Sequence, residues 1–268
     1  MRVQISVVLM VQNEEENLAR CLESVQGIAD EIIIIDGFST DRTAEIAKKY
    51  NTRFIQHKFE GHIEQRNISM QEASYDYILV MDADEALSDE LKASIQEVKN
   101  DWKFDAYTYN RLSSYAGHWI RHGGWYPDVK LRLADRRKIV WEGRNPHDEG
   151  FPKQGATVKH LKGDLLHFTY HSILDHYQRA YKYSEIMARA TLDRGKKFSW
   201  VKLLLSPPFK FIKMYLIRGG FLDGFYGFLL AVVSSYSTFL KYTLMRVIEK
   251  EGMEGLDKSA AKNKPNRI

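Results

Sequence analysis

Short apolar runs alternate with helix-like patterns over the first hundred residues. Continuous apolar segments predict strands at 3–11, 31–36, 52–57 and 77–82. Apolar residues three or four positions apart predict the intervening helices, and Ser39 or Thr40 is a candidate cap for the second of them. The first run is short and meets three glutamates at once, which favours a buried strand over a secretory signal. The order βαβαβαβ predicts a parallel sheet covered by helices.

The pattern changes after residue 106. Short alternating segments at 106–112, 130–134, 138–141 and 165–169 predict mixed or antiparallel strands that extend the same sheet. Residues 174–192 have the apolar spacing of an amphipathic helix. We therefore expect an α/β fold, with a Rossmann-like mixed sheet flanked by helices and a helical extension after it.

The C-terminal part has a pattern typical of membrane surfaces. Residues 194–218 contain seven basic side chains and no acidic one, interleaved with aromatic residues and leucines. Residues 224–240 carry no charge, but seventeen residues are at the short limit for crossing a bilayer. These features favour in-plane or re-entrant insertion over a full crossing. The alternative is a helical hairpin that packs on the main domain.

Composition sharpens this division. The 268 residues have a formal charge of +4, which gives little indication of nucleic-acid binding. The 75 residues from Arg194 onward carry 14 basic and 5 acidic side chains, so the rest of the chain is net acidic. The single cysteine excludes an internal disulfide and favours a reducing compartment. We expect a catalytic domain at 1–173, a membrane-associating region at 174–250 and a disordered tail at 251–268.

Candidate chemistry lies where the predicted parallel strands end. Asp82, Asp84 and Glu85 follow a buried strand directly, and carboxylates in this spacing can hold a hard divalent cation together with phosphate oxygens. The alternative is an acidic turn that leads into a helix near Ser88. Asp36 ends a neighbouring strand and could bind a base or ribose hydroxyl. The sequence contains neither the glycine-rich dinucleotide fingerprint nor the P-loop motif.

Several short motifs together resemble the inverting family 2 glycosyltransferases of GT-A fold. They are SVVL at 6–9, QNEE at 12–15, IIID at 33–36, STD at 39–41, QRN at 65–67 and DADE at 82–85. Later motifs resemble the β-1,4-glucosyltransferase branch that acts on the inner core of lipopolysaccharide or lipooligosaccharide. They are WIRHGGWYPD at 119–128, LRL at 131–133, LLH at 165–167 and GGFLDG at 219–224. The resemblance covers about residues 3–246.

The resemblance implies roles for individual residues. The nucleotide-sugar pocket is expected to be lined by Asn13, Asp36, Arg66, Asp82 and Asp84. A divalent metal, Mn²⁺ or Mg²⁺, is expected on Asp82, Asp84 and His167. For His167, a histidine that is merely satisfied at a strand end is the competing interpretation.

Inverting transfer also needs a base that takes the proton from the acceptor hydroxyl. Asp148 aligns with the glutamate that this branch usually has, but Glu149 follows it directly, so either residue could be the base, with Glu85 a more distant candidate. The segment that contains His122, Gly123, Trp125 and Tyr126 combines a flexible hinge with aromatic faces that can stack on sugars, and Arg132 is available for a phosphate. A glycine-rich turn beside two core aromatics explains the segment as well.

The expected activity is transfer of glucose from UDP-glucose to a lipid-linked acceptor such as the lipopolysaccharide inner core. Residues 194–246 would contact an anionic membrane surface, at the cytoplasmic face of the inner membrane, with peripheral or monotopic topology. Polyprenyl-phosphate, capsular or exopolysaccharide acceptors are alternatives within the same chemistry. From a different class, a non-catalytic nucleotide-sugar sensor or scaffold has the same binding motifs, and a nucleotidyltransferase fits less well because no glycine-rich basic loop follows the first strand.

Overall fold

The computed structural model describes residues 1–144 and 147–252, except for the side chains of residues 144, 147 and 148. The chain divides into two compact units. Unit 1 comprises residues 1–113 and 127–169, and unit 2 comprises residues 114–126 together with the chain from 170 onward. Nearly all of the predicted tail at 251–268 lies outside the described residues.

Unit 1 contains most of the strands and four helices. The strands of the chain are β1 (Ile5–Val11), β2 (Glu31–Asp36), β3 (Arg53–Gln56), β4 (Tyr77–Asp82), β5 (Glu85–Leu87), β6 (Ala106–Tyr115), β7 (His118–Ile120), β8 (Val129–Asp135), β9 (Ile139–Arg144), β10 (His147–Pro152) and β11 (Val158–Tyr170). The helices of unit 1 are α1 (Leu18–Ser24), α2 (Thr43–Lys48), α3 (His62–Gln71) and α4 (Asp89–Asn100).

The main sheet has the order β3-β2-β1-β4-β8-β6-β11-β5. Its first four strands are parallel, and β8 pairs antiparallel with both β4 and β6. Strands β9 and β10 form a separate antiparallel hairpin. The prediction of an α/β mixed sheet is confirmed. The parallel strands are nearly continuous apolar runs because both of their faces are covered.

Alternate residues of β1 pack into two different cores. Val7 and Leu9 belong to a cluster with residues of α1 and α4, whereas Val8 lies on the opposite face with residues of α3 and β9. Side chains alternate between the faces of a strand, so one apolar strand supplies both layers. The sheet is therefore fixed on both sides, and the carboxyl ends of β1, β2 and β4 lie at one edge.

The turn after β2 differs from its prediction. Ser39 and Thr40 do not cap α2, which begins at Thr43 with Arg42 at the capping position. Asp41 accepts a hydrogen bond from the Thr43 amide at 2.9 Å instead. The hydroxyl of Ser39 bonds to Asp36, since a short polar side chain in a tight turn bonds nearby groups as readily as a helix end.

The acidic run after β4 is both a turn and the lead-in to a helix. Ser88 caps α4, and its hydroxyl accepts a hydrogen bond from the Leu91 amide at 3.2 Å. The same hydroxyl accepts the Asp164 amide at 3.1 Å, which ties β11 to the start of α4. Gly163 allows this approach, because a Cβ at that position would lie 2.2 Å from the Leu91 nitrogen. The helix-capping interpretation is thus correct for Ser88 without removing the carboxylates from the strand end.

Unit 2 is a helical assembly. It contains α5 (Ile173–Asp193), α6 (Trp200–Ile212), a π-helical turn (Lys213–Ile217), a 3₁₀ turn (Gly220–Asp223) and α7 (Gly224–Glu251). Hydroxyl groups of α7 and α5 link the helices: Ser235 donates to the Pro207 carbonyl at 2.8 Å, and Ser184 donates to the Ser237 carbonyl at 3.0 Å. The segment Gly220–Glu251 is long and apolar enough to cross a membrane by length and composition, with a mean hydropathy of 1.3 and 28% of the window buried.

Candidate active site

Polar turns follow β1 and β2 at the sheet edge. Asn13 lies in the left-handed region with φ +56°, and its side-chain oxygen accepts the Thr40 amide at 2.8 Å. The Asn13 amide donates to the Ser39 hydroxyl at 2.8 Å. Asp36 is fully buried and accepts hydrogen bonds from the Ser39 amide and from Gln56. The structure therefore brings the predicted nucleotide residues Asn13 and Asp36 into one hydrogen-bonded pair of turns.

Asp82, at the end of β4, lies between two guanidinium groups. Its Oδ1 accepts a hydrogen bond from Arg66 of α3, and its Oδ2 accepts one from Arg132 of β8 at 2.7 Å. Both guanidinium carbons lie over the ring of Trp141, at 5.3 and 5.5 Å from its centroid. Arg132 thus contacts Asp82 directly, and three predicted site residues, Arg66, Asp82 and Arg132, are brought together.

The protonation states of this cluster follow from its burial. Burial by itself would raise the pKa of Asp82, but Arg132 and Arg66 outweigh it and hold that pKa well below its usual range. The reverse holds for Arg132, where burial is outweighed by Asp82 and Glu85 and the pKa is raised. Asp82 is therefore a fixed anion whose two oxygens already have cationic partners.

Glu85 lies beneath Asp82. It is fully buried, its Oε2 accepts the Asp82 amide at 2.9 Å, and its Oε1 lies 3.5 Å from Arg111 and 3.6 Å from Arg132. Burial raises the pKa of Glu85 despite the facing arginines, and the Asp82 charge adds to the rise. A carboxyl group without solvent access cannot reach an acceptor hydroxyl, so Glu85 holds the turn and is no longer a candidate base.

Asp84, in the turn between β4 and β5, lies beside His167 of β11. Asp84 Oδ2 lies 3.3 Å from His167 Nε2, and the Phe168 amide donates to the Asp84 carbonyl at 2.8 Å. The other ring nitrogen, Nδ1, lies 2.9 Å from the Thr169 hydroxyl, which orients the imidazole. The antiparallel register that pairs His167 with Glu85 places the histidine beside the acidic turn.

The donor atoms at this turn suit a divalent cation in part. Within residues 1–144 and 147–252, no group of three or more His, Cys, Asp or Glu side chains is arranged to hold a metal. Of the predicted ligands, Asp84 and His167 are adjacent, whereas Asp82 is turned toward Arg66 and Arg132. Mg²⁺ and Mn²⁺ often take only one or two protein ligands and complete their shells with phosphate and water. The pair of Asp84 and His167 fits that pattern.

A cavity of about 410 Å³ opens beside Asp82 within unit 1. Arg111, Lys130, Arg132 and Trp141 line it together with Glu149. Glu149 Oε1 accepts a hydrogen bond from Lys130 at 3.2 Å. Asp148 pairs with Gly143 in the β9–β10 hairpin, but its side chain lies outside the described residues. Of the two candidate bases, Glu149 is thus the one whose side chain the structure places on the cavity that Asp82 lines.

The segment 121–126 belongs to unit 2. Asp223 accepts hydrogen bonds from the His122 amide at 2.8 Å and from the Arg121 amide at 3.2 Å, and its Oδ1 lies 2.9 Å from His122 Nδ1. Gly123 has φ +67°, and its amide donates to the Arg218 carbonyl at 2.9 Å. Trp125 packs against Tyr170, and Arg121 lies over the Tyr126 ring. Gly123 thus lies in a turn between His122, which Asp223 holds, and the rings of Trp125 and Tyr126.

Sequence reasoning missed Arg111, Lys130 and Trp141. Arg111 forms ion pairs with Glu85 and with Asp128, and Lys130 bridges Asp128 and Glu149. Their role depends on pairing between β6, β8 and the β9–β10 hairpin, which no local motif indicates. Arg111 lies on β6 and Lys130 on the neighbouring strand β8. The sequence pattern predicted these two segments as strands but indicated no role for either side chain.

Curated relatives that match nearly the whole chain are glycosyltransferases. An uncharacterized glycosyltransferase of Rickettsia typhi, RT0209, is 28% identical over 253 residues, which cover 91% of this chain and 87% of the relative. The lipopolysaccharide core biosynthesis glycosyltransferase LpsC of Rhizobium meliloti is 26% identical over 264 residues, covering 94% of this chain and 95% of LpsC.

Among solved structures, S. aureus TarS 1–349 in complex with UDP-GlcNAc is 15% identical, covers 90% of this chain and 91% of that chain, and has a TM-score of 0.46.

The family assignment rests on sequence. The family described as Glycosyl transferase family 2 matches residues 6–158, more than half of the chain. The matched region contains β2 to β10 and all but the first residue of β1, and with them the turns at Asn13 and Asp36 and the cluster around Asp82. The chain belongs to glycosyl transferase family 2 and is a glycosyltransferase.

Proposed function

We propose that this glycosyltransferase moves glucose from UDP-glucose, with inversion and with a divalent metal, to a lipid-linked acceptor such as the lipopolysaccharide inner core. The observation that carries the proposal is the contact at the strand-end turn, where Asp84 lies 3.3 Å from His167 of β11, beside the arginine-bound Asp82. The similarity to LpsC over nearly the whole of both chains supports an acceptor of the lipopolysaccharide core.

Each part of the site has a proposed task. Asn13 and Asp36 bind the nucleoside, and Arg66 and Asp82 define the floor of the donor pocket. Asp84 and His167 hold Mn²⁺ or Mg²⁺, whose positive charge would offset the charge that develops on the leaving diphosphate. Arg132 and Arg66 neutralise Asp82, so that its negative charge does not repel the donor.

The acceptor hydroxyl needs a base within hydrogen-bond reach. Asp148 and Glu149 remain the two candidates. Glu149 has support from its place on the cavity beside Asp82, and Lys130 donates a hydrogen bond to its carboxylate at 3.2 Å. Asp148 has support from its alignment with the family motif. A base on the β9–β10 hairpin takes up the proton while the diphosphate departs from the opposite face of the sugar.

Membrane association is supported by the surface of unit 2. Between Trp200 and Phe225, eleven large apolar side chains are 44–68% exposed: Trp200, Val201, Leu204, Leu205, Phe209, Ile212, Leu216, Ile217, Phe221, Leu222 and Phe225. We call this set the apolar stripe. Large exposed apolar patches mark interaction sites in soluble proteins, and these eleven side chains all fall within 26 residues of the chain. With seven basic residues at 194–218, the stripe suits in-plane contact with an anionic membrane at its cytoplasmic face.

The test is a transfer assay with purified protein and a panel of UDP-, GDP- and dTDP-sugars. We expect nucleotide diphosphate release that requires UDP-glucose, Mn²⁺ or Mg²⁺, and isolated core lipid as acceptor. Polyprenyl phosphate is offered in parallel, and transfer to it alone would contradict the proposed acceptor. UDP-glucose binding without release of UDP under any of these conditions would identify a non-catalytic binding protein.

Asp84→Asn is expected to lower kcat by about 100-fold or more, because metal stabilisation of a leaving group contributes several kcal/mol. Asp89→Asn is the matched control, since Asp89 is an exposed acidic residue in the first turn of α4 and faces no predicted ligand. Full transfer by Asp84→Asn would overturn the metal assignment. Glu149→Gln and Asp148→Asn, compared at saturating donor, identify the base by which of them loses kcat.

A further inference from the structure

The π-helical turn at Lys213–Ile217 aligns three basic side chains. The Lys213 amide donates to the Lys210 carbonyl, so these two lysines lie three residues apart on the same helix face. The Arg218 amide donates to the Lys213 carbonyl at 2.9 Å, which is the i to i+5 bond of a π-helix. In an α-helix Ile217 would follow Lys213 on that face. The extra residue in the turn places Arg218 there instead and leaves Ile217 68% exposed in the apolar stripe.

Arg218 is held in place by a glycine. A Cβ on Gly124 would lie 2.2 Å from Nη1 of Arg218 and 2.7 Å from its Cδ, so the guanidinium arm packs directly on the Gly124 backbone. Gly124 also has φ +84°, a conformation that residues with a side chain rarely adopt. The Gly123 amide fixes the Arg218 backbone through its carbonyl at 2.9 Å. These contacts hold both the backbone and the exposed side chain of Arg218 in place.

The three cations are not neutralised by carboxylates. Asp223 is the only acidic residue between 194 and 248, and its oxygens accept from the Arg121 and His122 amides and contact the His122 ring. Within the described residues no carboxylate forms an ion pair with Lys210, Lys213 or Arg218. Burial lowers the pKa of Lys210, and the charges of Arg218 and Lys213 lower it further, in keeping with the shared helix face that the backbone bonds give.

Three positive charges on one helix face repel one another, and a bound anion lowers that repulsion. Its neighbours on the same segment, Ile212, Leu216 and Ile217, are exposed apolar side chains of the stripe. A ligand that satisfies both surfaces has a compact anionic head and hydrocarbon chains. Phosphate is the head that suits an arginine fork flanked by two ammonium groups.

We propose that Lys210, Lys213 and Arg218 form a binding site for the phosphate group of an anionic lipid whose chains lie on the apolar stripe. The inference rests on the proposed membrane association and adds a defined phosphate site to it. The site anchors unit 2 at the headgroup level of the membrane, and it recognises a particular head group in addition to net surface charge.

The test uses the full chain and dihexanoyl phosphatidic acid as a monomeric probe, with binding followed by isothermal titration calorimetry. We expect saturable binding that weakens by about tenfold or more in Arg218→Gln, because this variant loses a charge-assisted hydrogen bond to the phosphate. Lys202→Gln is the matched control. It removes one exposed charge from α6, the helix that also carries Lys210, but Lys202 lies outside the cluster, so binding is expected to change less than about twofold. Equal loss in the two variants would show diffuse surface attraction and overturn the site.

Gly124→Ala is a second variant that keeps every charge. Its Cβ displaces the Arg218 arm, so binding is expected to weaken as in Arg218→Gln, with folding checked by circular dichroism. Wild-type binding by a folded Gly124→Ala protein would contradict the positioned arginine. If inorganic phosphate binds as tightly as the lipid, the apolar stripe has no role in binding and that part of the proposal is wrong. The binding assay contains no donor sugar and does not depend on transfer activity. A protein that is inactive in transfer but binds the probe would contradict the proposed function and leave the phosphate site supported.

Discussion

The apolar stripe on α6 allows a quantitative prediction about membrane binding. Leu204 is 66% exposed and Phe209 is 60% exposed, so their replacement leaves the packing of unit 2 almost unchanged. Full burial of a leucine or phenylalanine side chain contributes about 1.5–3 kcal/mol. Two thirds of that, for two residues, is about 2–4 kcal/mol. The double variant Leu204→Ser/Phe209→Ser should therefore partition into vesicles roughly 30- to 700-fold more weakly.

The assay is sedimentation with phosphatidylcholine vesicles that contain a fixed share of phosphatidylglycerol, at constant salt because screening weakens the attraction of the basic residues. The control is Phe59→Ser/Phe151→Ser, which removes two aromatic side chains that are 44% and 42% exposed in unit 1. Surface substitutions away from an interface change free energies by about 0.5 kcal/mol, so the control should change partitioning about twofold at most. Unchanged partitioning of the Leu204→Ser/Phe209→Ser protein, or an equal loss in the control, would refute membrane contact through the stripe.

Three further predictions concern stability. Arg66→Met removes a buried guanidinium from Asp82, the last residue of β4, and should lower the free energy of unfolding by about 3–5 kcal/mol in urea, whereas Arg42→Met, which breaks an exposed ion pair, should lower it far less. Gly163→Ala should lower Tm well beyond Gly155→Ala: both glycines have positive φ, but only at Gly163 does the added Cβ strike backbone atoms. Burial lowers the pKa of His176 to about 4 from an ordinary value of 6.5, so the neutral ring is favoured in the fold and stability should fall as pH drops from about 6.5 toward 4. Melting curves across that range should show a smaller fall for a His176→Gln protein, and an equal fall would contradict the assignment.

Local pattern was sufficient for the parallel half of the sheet. The predicted strands at 31–36 and 77–82 coincide with β2 and β4, because in each the apolar run stops at an aspartate and this change of residue type marks the end of the strand. Strand β5, three residues long, has too little pattern to be recognised. The capping prediction for Ser39 and Thr40 was wrong because the same hydroxyl groups had closer partners in Asp36 and Asn13.

The residue types of the site and the uneven distribution of charge follow from the order of amino acids alone. Asp82, Asp84 and Asp36 had to reach one edge, since consecutive parallel strands deliver their carboxyl ends together. Residues 194–218, basic and free of carboxylates, had to carry a positive surface wherever they lay.

Which carboxylate has which partner depends on contacts between distant parts of the chain. Asp82 and Asp84 are two residues apart and alike in sequence, yet Arg66 from α3 and Arg132 from β8 surround the first, while His167 from β11 meets the second. The partners are 16, 50 and 83 residues distant along the chain, so their approach depends on strand order and register. The alignment of Lys213 with Arg218 has the same origin on a smaller scale, because one additional residue in a helical turn changes which side chains share a face.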